Sequence, residues 1–288
     1  MALGGVVWDW SRPYLLGIVN VTPDSFSDGG RFLDPDRAIA QGLELLREGA
    51  DALDIGGQST RPGAEIVPEE IELQRVLPVL RGLRRATAAP LSVDTFRARV
   101  AREALGVGAN IVNDTGLGDP PEALGAIAQC HGSAYIAMHA RGTPTTMGAL
   151  TEYDDVVGEV CEALGAVAAR LQAVGVPRGR ILLDPGVGFA KTAEQSLRVL
   201  ARLAPLKALG YPLCVGVSRK SFLVASEPYR DQWDDAPGEG RAGPTERLGG
   251  TAAAVALAVW QGAAVLRVHD VGACRQAARV AHALSLRG

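Results

Sequence analysis

PLSVDTFRARVAREALGVGANIVNDTGLGDPPEALGAIAQCHGSAYIAMH (90–139) decides the fold. Three apolar runs with β-type residues, PLSVDT (90–95), ANIVND (109–114) and SAYIAMH (133–139), are separated by helix-type stretches over 97–107 and 121–130. Each apolar run ends in polar residues. A strand followed by a helix and then another strand is the unit of a parallel sheet, because parallel neighbours need a crossover connection. Working outward, the same unit recurs in both directions. YLLGIVN (14–20) and ALDIG (52–56) precede it, and RILLDPG (180–186), PLCVGVS (212–218) and AAVLRVH (263–269) follow. The remaining helix-type stretches lie near 35–49, 68–87, 152–174, 193–209, 247–261 and 271–285. Eight strands with eight helices match a single α/β domain of the (β/α)8 TIM-barrel class.

Length alone leaves that choice open. The chain has 288 residues, which at ~150 residues per domain suggests two domains, whereas one (β/α)8 barrel uses ~250. The unbroken alternation and the lack of a Gly-rich linker favour one domain over 1–288. Part of the excess falls in 224–246, a polar Pro/Gly-rich segment containing PYRDQWDDAPGEGRAGPTE. It is expected to be an extended loop after the seventh strand, serving as a lid, a partner-binding loop or simple surface padding.

Composition excludes several classes. Hydrophobic residues make up 47% and charged residues 21%, so a large aliphatic core is available. With 29 Lys+Arg against 32 Asp+Glu, the net charge of -3 gives no electrostatic footprint for nucleic acid or an anionic membrane. Cys130, Cys161, Cys214 and Cys274 show no CxxC spacing, which points to reduced thiols and a cytoplasmic location. Trp8, Asp9, Trp10 and Arg12 interrupt the N-terminal region, so no secretory leader is expected. The 19 uncharged residues from Leu248 to Leu266 are rich in Ala and Gly and contain Thr251 and Gln261. They are expected to form a buried helix, a turn and the start of a strand, with no membrane span.

Polar residues collect where the strands end. Asn20, Asp54, Asp94, Asn113, His139, Asp184, Ser218 and His269 lie at or beside the carboxyl ends of the eight runs, the edge where barrel active sites form. Singly, each is equally well explained by helix capping or turn formation. Together they mark a site. GIVNVTPDSFSDGG (17–30) supplies oxygens from Asn20, Asp24, Ser25 and Ser27, with Gly29 and Gly30 allowing unusual backbone angles. Magnesium is one use of those oxygens and metal-free capping the other. DIGGQSTRPGA (54–64) offers Ser59, Thr60 and the planar fork of Arg61 for a carboxylate or phosphate. It is neither a P-loop nor a dinucleotide fingerprint.

Two carboxylates and an amide, Asp94, Asn113 and Asp184, suit the donors and acceptors around a flat heterocycle; a carboxylate pair for acid–base chemistry is the other possibility. SRKSF (218–222) places Lys220 for a ring acceptor, with Arg219 or Ser221 for a second substrate's carboxylate, unless the run is merely a solvated basic turn. RVHD (267–270) gives Arg267 and His269 as partners for a departing phosphate. His139 is as readily structural as ligand-binding. Met138 and Phe189 serve as apolar walls or as ordinary packing.

Taken in order, GIVNVTPDSFSDGG, DIGGQSTRPGA, SVDT, VNDTG, Met138–His139, DPGVGFAK (184–191), GVSRKSF (216–222) and RVHD resemble the dihydropteroate synthase family, over roughly 14–285. That resemblance implies a transferase of folate biosynthesis. It joins 6-hydroxymethyl-7,8-dihydropterin diphosphate to p-aminobenzoate, releases pyrophosphate and forms 7,8-dihydropteroate. It further implies that Asp94, Asn113, Asp184 and Lys220 bind the pterin, with Met138 and Phe189 beside it, and that Asn20 helps hold Mg²⁺. Arg61, Arg267 and His269 would meet the phosphates. Phe26, Thr60, Arg61, Pro62, Phe189 and Ser221 would form the p-aminobenzoate pocket, where sulfonamides compete. Phe26, Asp24 and their neighbours would close over the reactants, and the protein would be a homodimer.

The chemistry implied is dissociative substitution without a protein nucleophile. The chain departs from the family pattern at Gln58, usually Glu, and at Phe96 in SVDTFR. Two rivals remain. A methyltransferase barrel would need a methylated folate and a corrinoid partner, and a non-catalytic pterin-binding protein would bind both substrates without turnover.

Overall fold

The protein is described by a computed structural model covering residues 1–22, 34–61, 63–224 and 243–287. Its first element is a small antiparallel hairpin of β1 (Ala2–Leu3) and β2 (Val6–Val7). The two-residue turn Gly4–Gly5 has φ of 53° and 94°, the pair of positive angles that a twist-compatible tight hairpin demands. Eight strands follow: β3 (Tyr14–Asn20), β4 (Ala52–Gly56), β5 (Leu91–Asp94), β6 (Ile111–Asp114), β7 (Ala134–Met138), β8 (Ile181–Asp184), β9 (Cys214–Gly216) and β10 (Val265–Val268). They pair in parallel in the order β8-β7-β6-β5-β4-β3-β10-β9. A parallel bridge between Leu183 and Leu213 joins the two ends, closing the TIM barrel expected from the alternating sequence.

The helices outside it are α1 (Pro35–Glu48), α2 (Glu69–Ala86), α3 (Ala98–Gly106), α4 (Pro121–Cys130), α5 (Val156–Ala173), α6 (Ala193–Ala201), α7 (Ala204–Lys207), α8 (Leu248–Trp260) and α9 (Val271–Ser285). Local chemistry sets their ends. Asp34 accepts from the Asp36 N–H, Pro35 occupies the first turn and Gly49 takes the left-handed angle that stops α1. Thr192 and Gln195 form a reciprocal capping box at α6. The continuous helix expected over 193–209 is instead divided into α6 and α7. Pro205 lies in the first turn of α7, a position that spares its missing N–H and disfavours a helix running through it. The apolar stretch 248–266 is a helix, a turn and the start of a strand, as expected.

Period-two alternation along the strands sorts two cores. Leu15, Leu53, Val93, Val112, Tyr135, Leu183, Val215 and Leu266 belong to the large cluster that packs the strands against the helices. Their neighbours Leu16, Ala52, Ile111, Ala134, Ile136, Leu182, Cys214 and Val265 form a second cluster inside the barrel. Leu3 and Trp8 complete it. Trp8 is 1% exposed and stacks on Tyr14 at 4.6 Å between ring centroids. The N-terminal hairpin therefore plugs the lower end of the barrel, an element that the sequence pattern did not announce. Advancing two residues along several of these strands reaches polar side chains at the opposite, carboxyl-terminal rim: Asp54, Asn113, Asp184 and Arg267. Cys130, Cys161, Cys214 and Cys274 are all free thiols. Among the described residues, no helix is long and apolar enough to cross a membrane.

Candidate active site

Arg267 links two acidic strands at the rim. It lies on β10, and its Nε donates to Asp54 Oδ2 on β4 at 2.6 Å while its Nη2 donates to Asp94 on β5. Asn113 on β6 donates its Nδ2 to the same Asp54 oxygen at 2.9 Å. Asp54 is fully buried and Asp94 and Asn113 nearly so. Two carboxylates share one guanidinium in this low-dielectric setting, so removing Arg267 would leave uncompensated buried charge. Burial pushes the Asp94 carboxyl upward, with Arg267 opposing it. Asp54 Oδ1 has no hydrogen-bond partner among the described residues, leaving an acceptor available for a ring N–H.

Lys220 stands on the other side of the rim. Its ammonium donates to the Val187 carbonyl and lies 4.6 Å from the centroid of the Phe189 ring, a cation–π contact that helps orient the aromatic ring. Burial lowers Lys220 to about 8, while Asp184 draws it back towards the charged form. Asp184 is raised by burial, with Lys220 opposing, and its Oδ1 accepts from the Gly186 N–H at 2.7 Å. Met138, half-buried at the end of β7, pairs in register with Asp184. Donors, acceptors and an aromatic wall thus face one rim, the combination a flat heterocycle with polar edges requires.

A third group joins the ends of β3, β9 and β10. Asn20 Nδ2 is 3.5 Å from His269 Nε2, and His269 Nδ1 is 2.9 Å from Ser218 Oγ. Burial, reinforced by the nearby Arg267 charge, lowers His269 to about 3. It is therefore neutral at physiological pH and acts through hydrogen bonding. Arg219, weighed above as a carboxylate partner, is instead committed to Asp270 through two contacts at 2.9 and 2.5 Å. Ser221 is exposed beside Lys220. Thr60 is half-buried and Arg61 exposed on the loop after β4. Phe26 and Pro62, with Asp24, Ser25, Ser27, Gly29 and Gly30, lie outside the described residues.

Lys191 is a neighbour of the candidate site that no sequence motif singled out by its own chemistry. It is 8% exposed, and its Nζ meets Gly186 O and Phe189 O at 3.1 Å each and His139 Nδ1 at 2.9 Å. Burial lowers it to about 7. The ammonium has three donors for three acceptors, fixing both ends of the 186–189 turn. Donation to Nδ1 leaves the His139 proton on Nε2, and burial together with Lys191 lowers His139 to about 3. The only sequence signal for this role was the position of Lys191 at the end of DPGVGFAK. Phe96 packs with Leu117, Met147 and Ala190, with Ala140 and Phe189 against them. Its aromatic ring therefore acts as packing beneath the rim.

For a metal, the donor set is sparse. Among the described residues, no group of three His, Cys, Asp or Glu side chains is arranged to hold an ion. The Asn20 amide nitrogen faces His269, leaving the amide oxygen as a hard donor. One protein oxygen fits Mg²⁺ that arrives with phosphate oxygens and retains several waters.

The sequence profile of the family described as pterin binding enzyme matches residues 16–269. A dihydropteroate synthase from Synechocystis is 46% identical over 286 residues, covering 99% of this chain and 94% of its own length. A structure of Xanthomonas albilineans dihydropteroate synthase with 4-aminobenzoic acid superposes with a TM-score of 0.84 at 41% identity, covering 97% and 96% of the two chains. Another structure of that enzyme, in complex with 7,8-dihydropteroate, gives a TM-score of 0.81 at 39% identity, covering 96% and 95%.

Proposed function

The chain belongs to the family of pterin-binding enzymes, and from that premise we propose how its rim carries out the reaction. As a dihydropteroate synthase it joins 6-hydroxymethyl-7,8-dihydropterin diphosphate to p-aminobenzoate, giving 7,8-dihydropteroate and pyrophosphate. The observation that best supports this assignment of roles is the convergence of Asp54, Asp94 and Asn113 on Arg267, opposite Asp184 and Lys220. Asp94, Asn113 and Asp184 read the polar edge of the pterin and Lys220 donates to a ring acceptor, with Met138 and Phe189 as walls. Asp54 joins them as the carboxylate that orients Asn113 and Arg267.

Asn20, Arg61, Arg267 and His269 serve the diphosphate end. Arg267 uses Nε and Nη2 on the two carboxylates, so its Nη1 edge remains for a phosphate oxygen. Neutral His269 is held at this end between Asn20 at Nε2 and Ser218 at Nδ1. Asn20 would hold Mg²⁺ through its amide oxygen, and the ion would supply charge neutralisation for the departing diphosphate. Phe26, Thr60, Arg61, Pro62, Phe189 and Ser221 form the p-aminobenzoate side, where sulfonamides compete.

The exocyclic C–O bond breaks with its electron pair going to pyrophosphate, and the pterin ring spreads the developing positive charge. The aryl amine nitrogen then bonds to that carbon and releases its proton to solvent. No protein side chain needs to form a covalent intermediate. Holding both reactants in line supplies the orientation that free encounter lacks. Gln58 bonds only to the backbone of its own loop and Phe96 supports the Phe189 wall by apolar packing, so neither departure conflicts with synthase activity.

We further take 1–288 as one pterin-binding barrel domain with 224–246 as its extended loop; 225–242 lie outside the described residues. The compartment is the cytoplasm, where the four thiols stay reduced. The protein acts as a homodimer through α8 and α9, which pack side by side and expose Leu257, Trp260, Val280 and Leu284. A two-substrate assay with Mg²⁺ tests the reaction. Dihydropteroate formation that depends on p-aminobenzoate supports it, whereas binding of both substrates without turnover would favour the non-catalytic alternative.

A further inference from the structure

Gln58, just after β4, is 4% exposed and spends its whole carboxamide on the backbone of the loop that follows. Its Nε2 donates to Ser59 O at 2.7 Å and to Glu65 O at 3.0 Å, while its Oε1 accepts from the Val67 N–H at 2.7 Å. One side chain therefore ties the outgoing stem to the returning stem. The surroundings hold that clamp in place. Arg75 on α2 donates to Gly57 O at 2.8 Å, and Arg97 donates to Val67 O at 2.5 Å and pairs with buried Glu72. A Cβ on Gly57 would come within 2.8 Å of Val76, so the outgoing stem is pressed against α2. At the far side of the loop, the Gly63 N–H donates to Pro144 O at 2.8 Å. Half-buried Thr60 and exposed Arg61 lie between the two clamped stems.

We infer that Gln58 is a positioning residue for the second substrate, holding the arch that carries Thr60 and Arg61 in its binding shape. The inference rests on the assignment of p-aminobenzoate to this loop. Its physical basis is pre-organisation: a loop ordered beforehand does not lose that conformational freedom when the ligand arrives. In this chain the amide, which stands where the family usually has Glu, matches the backbone partners it meets. Two carbonyl oxygens require two N–H donors and one N–H requires an acceptor, a set that a neutral carboxamide satisfies at any ordinary pH. A carboxylate at this position would face both carbonyls with lone pairs. A protonated carboxyl would recover one of the two donations. The charged groups around such a carboxyl are Glu72 and Arg75 from α2 and Arg97 from the segment between β5 and α3.

Gln58→Glu and Gln58→Met separate these requirements. Steady-state kinetics would be measured with both substrates at pH 6 and pH 8.5, each variant against wild type at the same pH. At pH 8.5 both variants are expected to raise the KM for p-aminobenzoate roughly ten-fold, the scale of one or two lost hydrogen bonds. The kcat and the KM for the pterin diphosphate should stay within about two-fold. At pH 6 the Gln58→Met loss should be the same as at pH 8.5, since neither Gln nor Met titrates.

An unchanged KM for p-aminobenzoate in both variants would overturn the inference, as would a parallel rise in both KM values. If wild type made no dihydropteroate, the assigned reaction would fall and the positioning role with it. Hydrogen exchange at the Val67 amide then still decides whether the clamp exists. Faster exchange in Gln58→Met upholds it, and an unchanged rate overturns it.

Discussion

His139 shows how a residue's role depends on a partner far along the chain. In the sequence it stood between ligand and structural histidine. The Lys191 ammonium, 2.9 Å from Nδ1, fixes its tautomer and opposes its protonation. The unfolded chain takes up a proton near pH 6.5, whereas folded His139 holds out to about 3. Between these values the unfolded state binds more protons, so stability falls as pH is lowered through that window. Denaturation at pH 7 and pH 4.5 should therefore show wild type losing more stability than His139→Gln, and equal losses would contradict the assigned environment. Asp94, Asn113, Asp184, Lys220, Arg267 and His269 could be singled out as candidates because each lies in a motif at or just after a strand end. The central role of Asp54 could not be. Its guanidinium partner is 213 positions away, and only barrel closure brings them together.

At the scale of elements, the eight barrel strands and most helix limits were readable because hydrophobic period changes from two to about 3.6 between them. The N-terminal hairpin was not, since two-residue strands are too short to display a period. Its value lies in tertiary burial. Trp8 covers the lower interior cluster and stacks on Tyr14. Trp8→Ala is expected to cost roughly 3–5 kcal/mol, the usual scale for emptying a large aromatic site in a core. Thermal denaturation should show a lower Tm with kcat preserved at low temperature, because the hairpin sits at the end opposite the active rim. A Tm equal to wild type would refute the plug. The break before α7 was missed, because helical propensity on both sides concealed the signal that Pro205 carries.

Over the whole molecule, a composition with near-balanced charge still yields a site for a diphosphate. Positive charge is placed locally, with Arg267 held by Asp54 and Asp94 and Lys220 beside Asp184, instead of being spread over a basic surface. Trp260 and Val280 are exposed on α8 and α9, the face proposed above as the dimer interface. Sedimentation should give a dimer that Trp260→Glu with Val280→Asp converts to monomer; a monomeric wild type would contradict this face as the interface. The central claim is that the Lys220 and Arg267 rim joins the pterin to the aryl amine with loss of pyrophosphate. The measurement that bears on it most directly is simultaneous quantification of 7,8-dihydropteroate and pyrophosphate from both substrates and Mg²⁺, for wild type and Lys220→Met. The account predicts equimolar products from wild type and a loss of ~100-fold or more in kcat/KM for the pterin substrate in the variant, the scale of removing a charged donor. Folded wild type that releases no pyrophosphate, or Lys220→Met with wild-type efficiency, would contradict it.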